Sequence, residues 1–310
     1  MRPARATTVT RRRGLVLCTC LALLGVGSAL VGVGSALVGG GSPLGAVALA
    51  HAASGHAGPT RSVHVDGYSI TTKCTGSATA TTPTIVLLAG EPDPLTKFDY
   101  IQRRLSSATR VCSYDRLGEG TSSKPRNEQT LGDSAAILHA VLSKLHADSH
   151  GVVLVGHSLG GLIAARYAAT YRRSHQVRGV VLLDATPPSI VARIKRLIPR
   201  GATGVAGAVR AEILGLATGH NPERLVFSGA PLPPIGKVPL IVVQHGKPIF
   251  AGVPTYGRRI QRIWSAGQHQ WLALSRRSRM VIARQSGHYI YLDQPTLTLR
   301  LIRRALAEAR

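Results

Sequence analysis

Acidic and aromatic residues are both scarce in this chain of 310 residues. Only 14 residues are Asp or Glu against 38 Lys and Arg, which gives a formal net charge of +24, and aromatic residues make up 4%. A positive charge attracts polyanions, but single-stranded nucleic acids also need aromatic side chains on which their bases stack. The arginine pairs are scattered and no nucleic-acid-binding motif is present, so we expect no nucleic-acid partner.

Cysteine is rare too, since only 4 residues are Cys, and this excludes a small fold that depends on several disulfides. Hydrophobic residues make up 44% of the chain, which excludes global disorder and allows a sizeable core. The length suits one large domain or two ordinary ones. The excess of positive charge predicts anionic partners, such as envelope polymers or acidic lipid headgroups.

The first fifty residues include a long uncharged segment, because no charged residue occurs from Gly14 to Ala50. Arginines precede this apolar segment, and the sequence Ala50-His51-Ala52 is typical of a signal-peptidase site. We therefore predict that residues 1–52 are a signal peptide for export. The alternative is a retained membrane anchor, because the segment exceeds the roughly 20 residues that span a bilayer. Removal of residues 1–52 takes away five arginines and no acid, which leaves +19.

In the rest of the chain, strand-like and helix-like segments alternate, which predicts a mostly parallel sheet covered by helices on both faces. Residues 62–186 and 238–310 form the predicted core. Residues 187–237 break the alternation and are predicted to be a helical lid, whose basic amphipathic helix either packs on its own domain or rests on a membrane surface. The predicted strands cover residues 64–70, 71–75, 84–89, 110–115, 151–155, 177–183, 238–243 and 279–283, and the predicted helices cover residues 131–145, 159–173, 256–274 and 295–310.

A candidate nucleophile, Ser158, lies in a Gly-x-Ser-x-Gly pattern between a buried strand and a helix. A serine at the apex of such a tight turn has a strained backbone and a protruding hydroxyl. Gly156 and Gly160 flank it where larger side chains would clash. The N–H of Leu159 lies at a helix N-terminus, which favours the negative charge of an oxyanion.

A serine hydroxyl needs a base, and His288 is the best-placed of the twelve histidines because it follows the last predicted strand. His245 and His269 are weaker alternatives. His157 adjoins the nucleophile, but the turn should direct its side chain away. His146 and His150 have the spacing of a metal pair, yet they are more typical of a solvated helix end, so we expect no metal.

The base needs a carboxylate that orients it, and only three acids lie between Ser158 and His288. Two of them, Glu212 and Glu223, fall in the predicted lid. Asp184 instead ends an apolar strand, where its carboxylate faces the same crevice as the nucleophile. Two alternatives stay open. In one, Asp184 has a turn or helix-cap role; in the other, the later acid Asp293 orients the base.

Together these motifs resemble the α/β-hydrolase superfamily, and most closely its exported bacterial serine hydrolases. The residues that carry the resemblance are the Ser158 turn, the Tyr-Asp-Arg motif that begins at Tyr114, Val-Leu-Leu-Asp ending at Asp184, and Ser-Gly-His ending at His288. The resemblance covers about residues 62–310 and implies an eight-stranded, mostly parallel sheet. Relatives carry the acid after either of two successive strands, and the later position here, at 244–247, has no carboxylate, which supports Asp184.

The resemblance also implies a second oxyanion donor after the third strand, where many relatives have His-Gly. This chain has Ala89-Gly90-Glu91-Pro92 instead. Proline has no N–H, so by position the donor is the backbone N–H of Glu91. The Glu91 carboxylate should then point away, because it would oppose the oxyanion.

The family's topology makes the second and fourth strands neighbours, and these carry the two cysteines that follow residue 52, Cys74 and Cys112. In an exported chain such a pair predicts a disulfide, with two buried thiols as the alternative.

Ser158, Asp184 and His288 are thus the predicted triad of a serine hydrolase that cleaves a carboxylic ester, thioester or amide without a cofactor. One alternative is cofactor-free perhydrolysis or haloperoxidation by the same triad. Another is a catalytically degenerate protein that binds an envelope polymer. The substrate is expected to be a small-molecule or lipid-like acyl compound.

Overall fold

The structure is a computed structural model, and it describes residues 58–79, 81–172 and 176–309. The predicted signal peptide or anchor, residues 1–52, lies outside the described residues and stays a prediction. Among the helices of the described part, none combines the length and the apolar character needed to cross a membrane.

The sheet contains eight strands in the order β1-β2-β4-β3-β6-β7-β9-β10. β1 and β2 form an antiparallel hairpin, β2 is antiparallel to β4, and the other pairs are parallel. The chain therefore has the α/β-hydrolase fold that its motifs imply. In chain order the strands are β1 (Thr60–Val65), β2 (Tyr68–Thr75), β3 (Thr84–Leu88), β4 (Val111–Tyr114), β5 (Gln129–Thr130), β6 (Val152–His157), β7 (Val177–Leu183), β8 (Leu225–Val226), β9 (Leu240–His245) and β10 (Ser278–Ala283).

Helices cover both faces of this sheet, which is why its central strands are continuous apolar runs. α2 and α3 pack with one set of strand side chains, and α1 and α8 pack with the other set. The carboxyl ends of the parallel strands lie between these layers. The helices are α1 (Asp99–Leu105), α2 (Leu131–Lys144), α3 (Ser158–Tyr171), α4 (Ile190–Leu197), α5 (Gly204–Gly215), α6 (Gly257–Gln270), α7 (Ile290–Asp293) and α8 (Pro295–Glu308).

Many predicted boundaries lie within two residues of the observed ones, and two regions differ in a more informative way. The first hairpin turns at Asp66 and Gly67, both with positive φ, so the predicted break between residues 70 and 71 is wrong. The helix predicted over 256–274 ends at Gln270 and continues as a 3-10 turn over Trp271–Leu274.

The two cysteines lie directly opposite each other in the antiparallel pair β2 and β4. A disulfide joins Cys74 to Cys112 and closes a loop with a sequence separation of 38 residues. The disulfide implied by the family's topology is thus confirmed.

Residues 187–237 contain α4, α5 and the short strand β8, which pairs with β5. The sequence carries no strand signal here, because a two-residue strand is too short to show a pattern. Ile190 and Ile194 bury the apolar face of α4 against α5 and α6, together with Ile198 that follows the helix. The predicted lid helix therefore packs on its own domain through this face.

Candidate active site

The turn at Ser158 is confined by glycines on both sides. Ser158 is the first residue of α3, directly after β6, and its φ is +49°, a left-handed conformation that non-glycine residues seldom adopt. A Cβ on Gly156 would lie 2.5 Å from the carbonyl oxygen of Gly160, and a Cβ on Gly160 would collide with the carbonyl oxygen of Ala89. The glycines thus permit the tight strand-to-helix turn that exposes the serine hydroxyl at the edge of the sheet.

Thr186 contacts the predicted nucleophile through its side chain and its backbone. Its hydroxyl lies 3.4 Å from Ser158 Oγ, and its backbone N–H donates to the Ser158 carbonyl oxygen at 2.9 Å. Within the described residues, no hydrogen bond joins Ser158 to His288. The structure therefore places the predicted serine at the carboxyl edge of the sheet, but the hydrogen bond from Ser158 to the predicted base is not formed among the described residues.

His157 connects the turn to the loop that carries His288. Its Nε2–H donates to the His288 carbonyl oxygen at 3.0 Å, and the two ring centroids lie 4.5 Å apart. Burial, and then the neighbouring His288, hold the pKa of His157 well below its usual value. His157 is thus a buried, neutral donor, as expected for a side chain that faces away from the substrate.

The predicted acid and base lie in direct contact. Asp184, with a φ of +46°, follows β7, and its Oδ2 accepts a hydrogen bond of 2.7 Å from His288 Nδ1. Both side chains are buried. This contact leaves His288 Nε2 as the ring nitrogen that can take a proton from another group.

His245 also contacts this carboxylate, which the sequence does not indicate. It is the last residue of β9, the strand beside β7, and its Nδ1 lies 2.6 Å from Asp184 Oδ2. Its Nε2 lies 2.8 Å from the amide nitrogen of Gln261 on α6. Because both ring nitrogens are engaged there, neither serves Ser158, contrary to the expectation that His245 could be an alternative base.

α6 completes the surroundings of the acid. Trp264 Nε1–H donates to Asp184 Oδ1 at 3.0 Å, and Gln268 donates to the carbonyl oxygen of Ala185 at 2.7 Å. Burial acts to raise the pKa of Asp184, but the charge and hydrogen bond of His245, with the hydrogen bond of His288, hold this pKa well below its usual range. For His245, burial acts to lower the pKa, yet Asp184 outweighs it and the pKa is raised.

The segment after β3 lies against the turn at Ser158. A Cβ on Gly90 would lie 3.0 Å from Ser158 Cβ, so only glycine lets the backbone approach so closely. The next N–H in the chain is that of Glu91, and the N–H of Leu159 lies in the first turn of α3, where it has no intrahelical partner. Both predicted oxyanion donors are therefore on segments next to Ser158.

Arg116, from the Tyr-Asp-Arg motif, fastens this segment to the body of the protein. Its guanidinium donates to the carbonyl oxygens of Ala89 and Gly90 and forms ion pairs with Glu119 at 3.1 Å and Glu223 at 3.0 Å. The sequence motif marks this residue, but not its contacts. Glu223 is thus committed to Arg116 and is not an acid for the base.

The Glu91 side chain is half-buried, and its carboxyl group lies near Arg116 and Glu223. Its Oε2 is buried and has no hydrogen-bond partner among the described residues. Burial raises the pKa of Glu91 to about 7, against the attraction of Arg116 and with the help of Glu212 and Glu223. The expectation that this carboxyl points away from an oxyanion stays a prediction.

The other predicted alternatives lie elsewhere. Asp293 Oδ2 accepts from the Gly287 N–H at 2.7 Å and so holds the loop that precedes His288. His269 on α6 is exposed, and so are His146 and His150 beyond the end of α2. Within the described residues, no group of three or more His, Cys, Asp or Glu is arranged to hold a metal ion.

Comparison with known proteins agrees with this architecture. Residues 83–210 match the model of the alpha/beta hydrolase fold family. Among solved structures, a probable hydrolytic enzyme from Pseudomonas aeruginosa PAO1 is similar with a TM-score of 0.60 and 18% identity, over 81% of this chain and 95% of that one. At this identity the likeness shows the fold alone.

Two relatives are more similar in sequence over shorter segments. An uncharacterized protein of Mycobacterium tuberculosis is 33% identical over 150 residues, which are 47% of this chain and 41% of that protein. A non-heme chloroperoxidase of Streptomyces lividans is 38% identical over 87 residues, which are 28% of this chain and 30% of that protein. The chain thus spans less than half the length of these relatives.

Proposed function

From the premise that this chain has the α/β-hydrolase fold, we propose that it is a serine hydrolase that cleaves a carboxylic ester or a related acyl bond. Ser158 is the nucleophile, His288 the general base and acid, and Asp184 the carboxylate that orients His288. The observation that carries the proposal is the Asp184–His288 hydrogen bond of 2.7 Å behind the strained turn at Ser158.

In the first half of the reaction, Ser158 Oγ attacks the acyl carbon while His288 Nε2 accepts the hydroxyl proton. The carbonyl oxygen becomes an oxyanion, which accepts hydrogen bonds from the N–H groups of Leu159 and Glu91. The bond to the leaving group then breaks, and the imidazolium returns the proton to that group. Ser158 retains the acyl group as an ester.

In the second half, water attacks the acyl carbon and His288 takes its proton. The Ser158–acyl bond breaks, the carboxylic acid departs and the proton returns to Ser158 Oγ. Asp184 stays ionised throughout, which its low pKa favours, and it stabilises the imidazolium in both halves.

The test is labelling of the full chain with a fluorophosphonate probe, which reacts with activated serines. We expect labelling of the wild type and none of Ser158→Ala, with hydrolysis of p-nitrophenyl butyrate lost in parallel. A folded wild type that neither labels nor turns over esters contradicts the proposal. It would favour a degenerate protein that binds an anionic envelope polymer, a role that the net charge of +24 would suit.

A second candidate reaction is perhydrolysis, which the similarity to the S. lividans chloroperoxidase favours. In this reaction hydrogen peroxide replaces water and attacks the acyl-Ser158 ester, which gives a peracid that then oxidises halide. Halogenation of monochlorodimedone that requires both acetate and peroxide would distinguish it. Ester hydrolysis without such halogenation leaves hydrolysis as the reaction.

We also propose that the protein acts outside the cytoplasm, on a small or lipid-like acyl substrate. The Cys74–Cys112 disulfide supports this location, because disulfides persist in oxidising compartments. Export directed by residues 1–52 would supply the route. Fractionation of cells that produce the full chain tests the location, and recovery of all the protein as a cytoplasmic form contradicts it.

A further inference from the structure

The Asp184 carboxylate accepts two N–H groups on each oxygen. Oδ2 accepts from His288 Nδ1 at 2.7 Å and from His245 Nδ1 at 2.6 Å. Oδ1 accepts from Trp264 Nε1 at 3.0 Å and from the His245 backbone N–H at 3.3 Å. A carboxylate has about four acceptor sites, so these donors occupy all of them. His245 alone supplies two of the four.

The surroundings of His245 select one form of its ring. The Gln261 amide nitrogen at 2.8 Å donates to Nε2, which leaves Nδ1 as the protonated nitrogen that donates to Asp184. The ring is 1% exposed. From α6, the side chains that face it are the uncharged Gln261 and Trp264. Asp184 is the charged group in contact with it, and His288 lies across that carboxylate.

We infer that His245 is a positioning residue, which shares the Asp184 carboxylate with His288 and fixes its orientation. This inference rests on the proposed hydrolase function. Two donors on Oδ2 hold the carboxylate plane in line with both imidazoles. They also divide its negative charge, so the stabilisation that His288 receives as an imidazolium depends on His245.

Two variants separate the hydrogen bond from the packing. His245→Asn puts an amide nitrogen near the place of Nδ1 and keeps the donor, whereas His245→Leu keeps much of the volume and removes it. We expect fluorophosphonate labelling to fall roughly tenfold or more in His245→Leu and to stay within about threefold in His245→Asn. In His245→Leu, the acid limb of the labelling rate should move to higher pH by about half a unit, because more of the Asp184 charge is left for His288.

Proton NMR provides a readout that does not depend on activity. The wild type should show two strongly downfield imidazole N–H signals, His245→Asn should lose one, and Asp184→Asn should lose both. Labelling of His245→Leu at the wild-type rate with an unchanged acid limb overturns the inference. A wild type that does not label at any pH overturns the proposed function instead, and the two N–H signals then still decide whether His245 shares the carboxylate.

A separate surface carries a second proposal that does not depend on catalysis. α4 and α6 border two adjoining grooves of about 700 and 630 Å³, which we call the arginine groove. Within the described residues, none of its arginines has a carboxylate partner. Leu197 and Ile263 contribute apolar surface to the same groove. The arginines that line it are Arg193, Arg196, Arg258, Arg259 and Arg262.

We propose that the arginine groove docks on the headgroup layer of an anionic lipid bilayer. Guanidinium groups bind phosphate through paired N–H donors, and unpaired ones have no competing protein carboxylate. Apolar side chains among the cations suit the boundary between headgroups and acyl chains better than a soluble phosphate. An apolar segment such as 14–50 would bring the body of the protein to a membrane during export or anchoring.

The test is sedimentation of the full chain with vesicles of equal parts phosphatidylglycerol and phosphatidylcholine, in a Ser158→Ala background that prevents hydrolysis. Arg196, Arg259 and Arg262, all exposed, are changed together to Gln. The matched control changes three exposed arginines of α1 and α8 in the same way: Arg103, Arg104 and Arg300. We expect the groove variant to lose about 100-fold in affinity and the control less than about tenfold.

Equal losses in the two variants would show that binding follows net charge alone, and this overturns the proposal. Wild-type binding that is the same on pure phosphatidylcholine overturns it as well. Displacement by inorganic phosphate, at an ionic strength matched with sodium chloride, would identify a soluble phosphate site instead.

Discussion

Asp184 and Glu91 lie on two segments that border the turn at Ser158, and their carboxyl groups differ in what surrounds them. Asp184, on the side of the base, accepts N–H groups from His245, His288 and Trp264. Glu91, on the segment of the proposed oxyanion donor, has an Oε2 without a hydrogen-bond partner in the part of the chain that the structure describes. The pKa of Asp184 is held below its usual range, whereas burial raises the pKa of Glu91 to about 7.

The comparison teaches that burial by itself does not decide the charge of an acid in this site. A carboxylate stays ionised where several N–H donors point at it, and desolvation raises the pKa of a carboxyl group where they do not. The proposed mechanism needs both outcomes, because the base requires a negative neighbour and the oxyanion is opposed by one. Arg116 fastens the oxyanion segment, but its guanidinium is shared with Glu119 and Glu223.

The largest expected effect comes from removal of the charge on the Asp184 side. Asp184→Asn keeps the shape of the side chain but removes its charge. In either orientation the amide NH2 group faces N–H donors, because both Asp184 oxygens accept N–H groups. We expect the rate of fluorophosphonate labelling to fall roughly 10³- to 10⁴-fold. Asp293→Asn is the matched control, because Asp293 contacts the Gly287 N–H and not the His288 ring. A larger loss in Asp293→Asn would transfer the role of acid to that residue.

Near Glu91, the Arg116 side chain is expected to make the largest contribution to the free energy of unfolding. Arg116→Met leaves the carboxylates of Glu119 and Glu223 buried without their cation, and we expect the free energy of unfolding to fall by about 3–5 kcal/mol. Urea denaturation measures it. Arg304→Met removes an arginine whose ion pair with Glu308 is exposed, and it should cost less than about 1 kcal/mol. Equal costs for the two variants would mean that the buried network contributes nothing beyond a surface pair.

A smaller effect on the labelling rate is expected when one of the N–H donors to Asp184 is removed. Trp264→Phe keeps an aromatic ring but removes the N–H that reaches Oδ1 at 3.0 Å, and we expect labelling to slow roughly tenfold. Trp271→Phe is the control, because that indole donates to the carbonyl oxygen of Ala185 at 3.4 Å and not to Asp184. If both variants label at the wild-type rate, the Trp264 N–H does not help to hold the Asp184 carboxylate ionised and in place.

Much of this arrangement could be predicted from local sequence. Apolar runs predicted the buried strands, the Gly-x-Ser-x-Gly pattern predicted the turn at Ser158, and the shortage of acids led to Asp184. These signals work because each depends on a few consecutive residues or on elimination. The family's topology also implied the Cys74–Cys112 disulfide, which is in the structure.

The remaining contacts depend on elements that are distant in the sequence. His245 reaches Asp184 because β9 lies beside β7, and Trp264 reaches it because α6 packs over both strand ends. Arg116 meets Glu223 across 107 positions, and a buried arginine runs against the usual preference of this residue for the surface. Helix α5 is rich in glycine and alanine, so its apolar pattern is too weak to predict a helix over 204–215.

The smallest expected effect concerns Glu91 and appears only as a change with pH. With a pKa of about 7, this group is neutral at pH 6 and mostly negative at pH 8, and the negative form opposes the oxyanion. In Glu91→Gln, the labelling rate relative to wild type should therefore be near one at pH 6 and rise to about fivefold at pH 8. The ratio cancels the titration of the base, which both proteins share.

Stability gives an independent measure of the same group. The folded state holds the Glu91 proton up to about pH 7, while the unfolded state releases it near the ordinary value of 4.5. Its contribution thus lowers the free energy of unfolding as the pH rises between these values, and Glu91→Gln removes this loss. Glu128→Gln, at an exposed position, should change neither measurement. A Glu91→Gln to wild-type ratio that stays flat from pH 6 to pH 8, with no change in the pH dependence of unfolding, would mean that Glu91 ionises like an exposed acid, and the contrast with Asp184 would disappear.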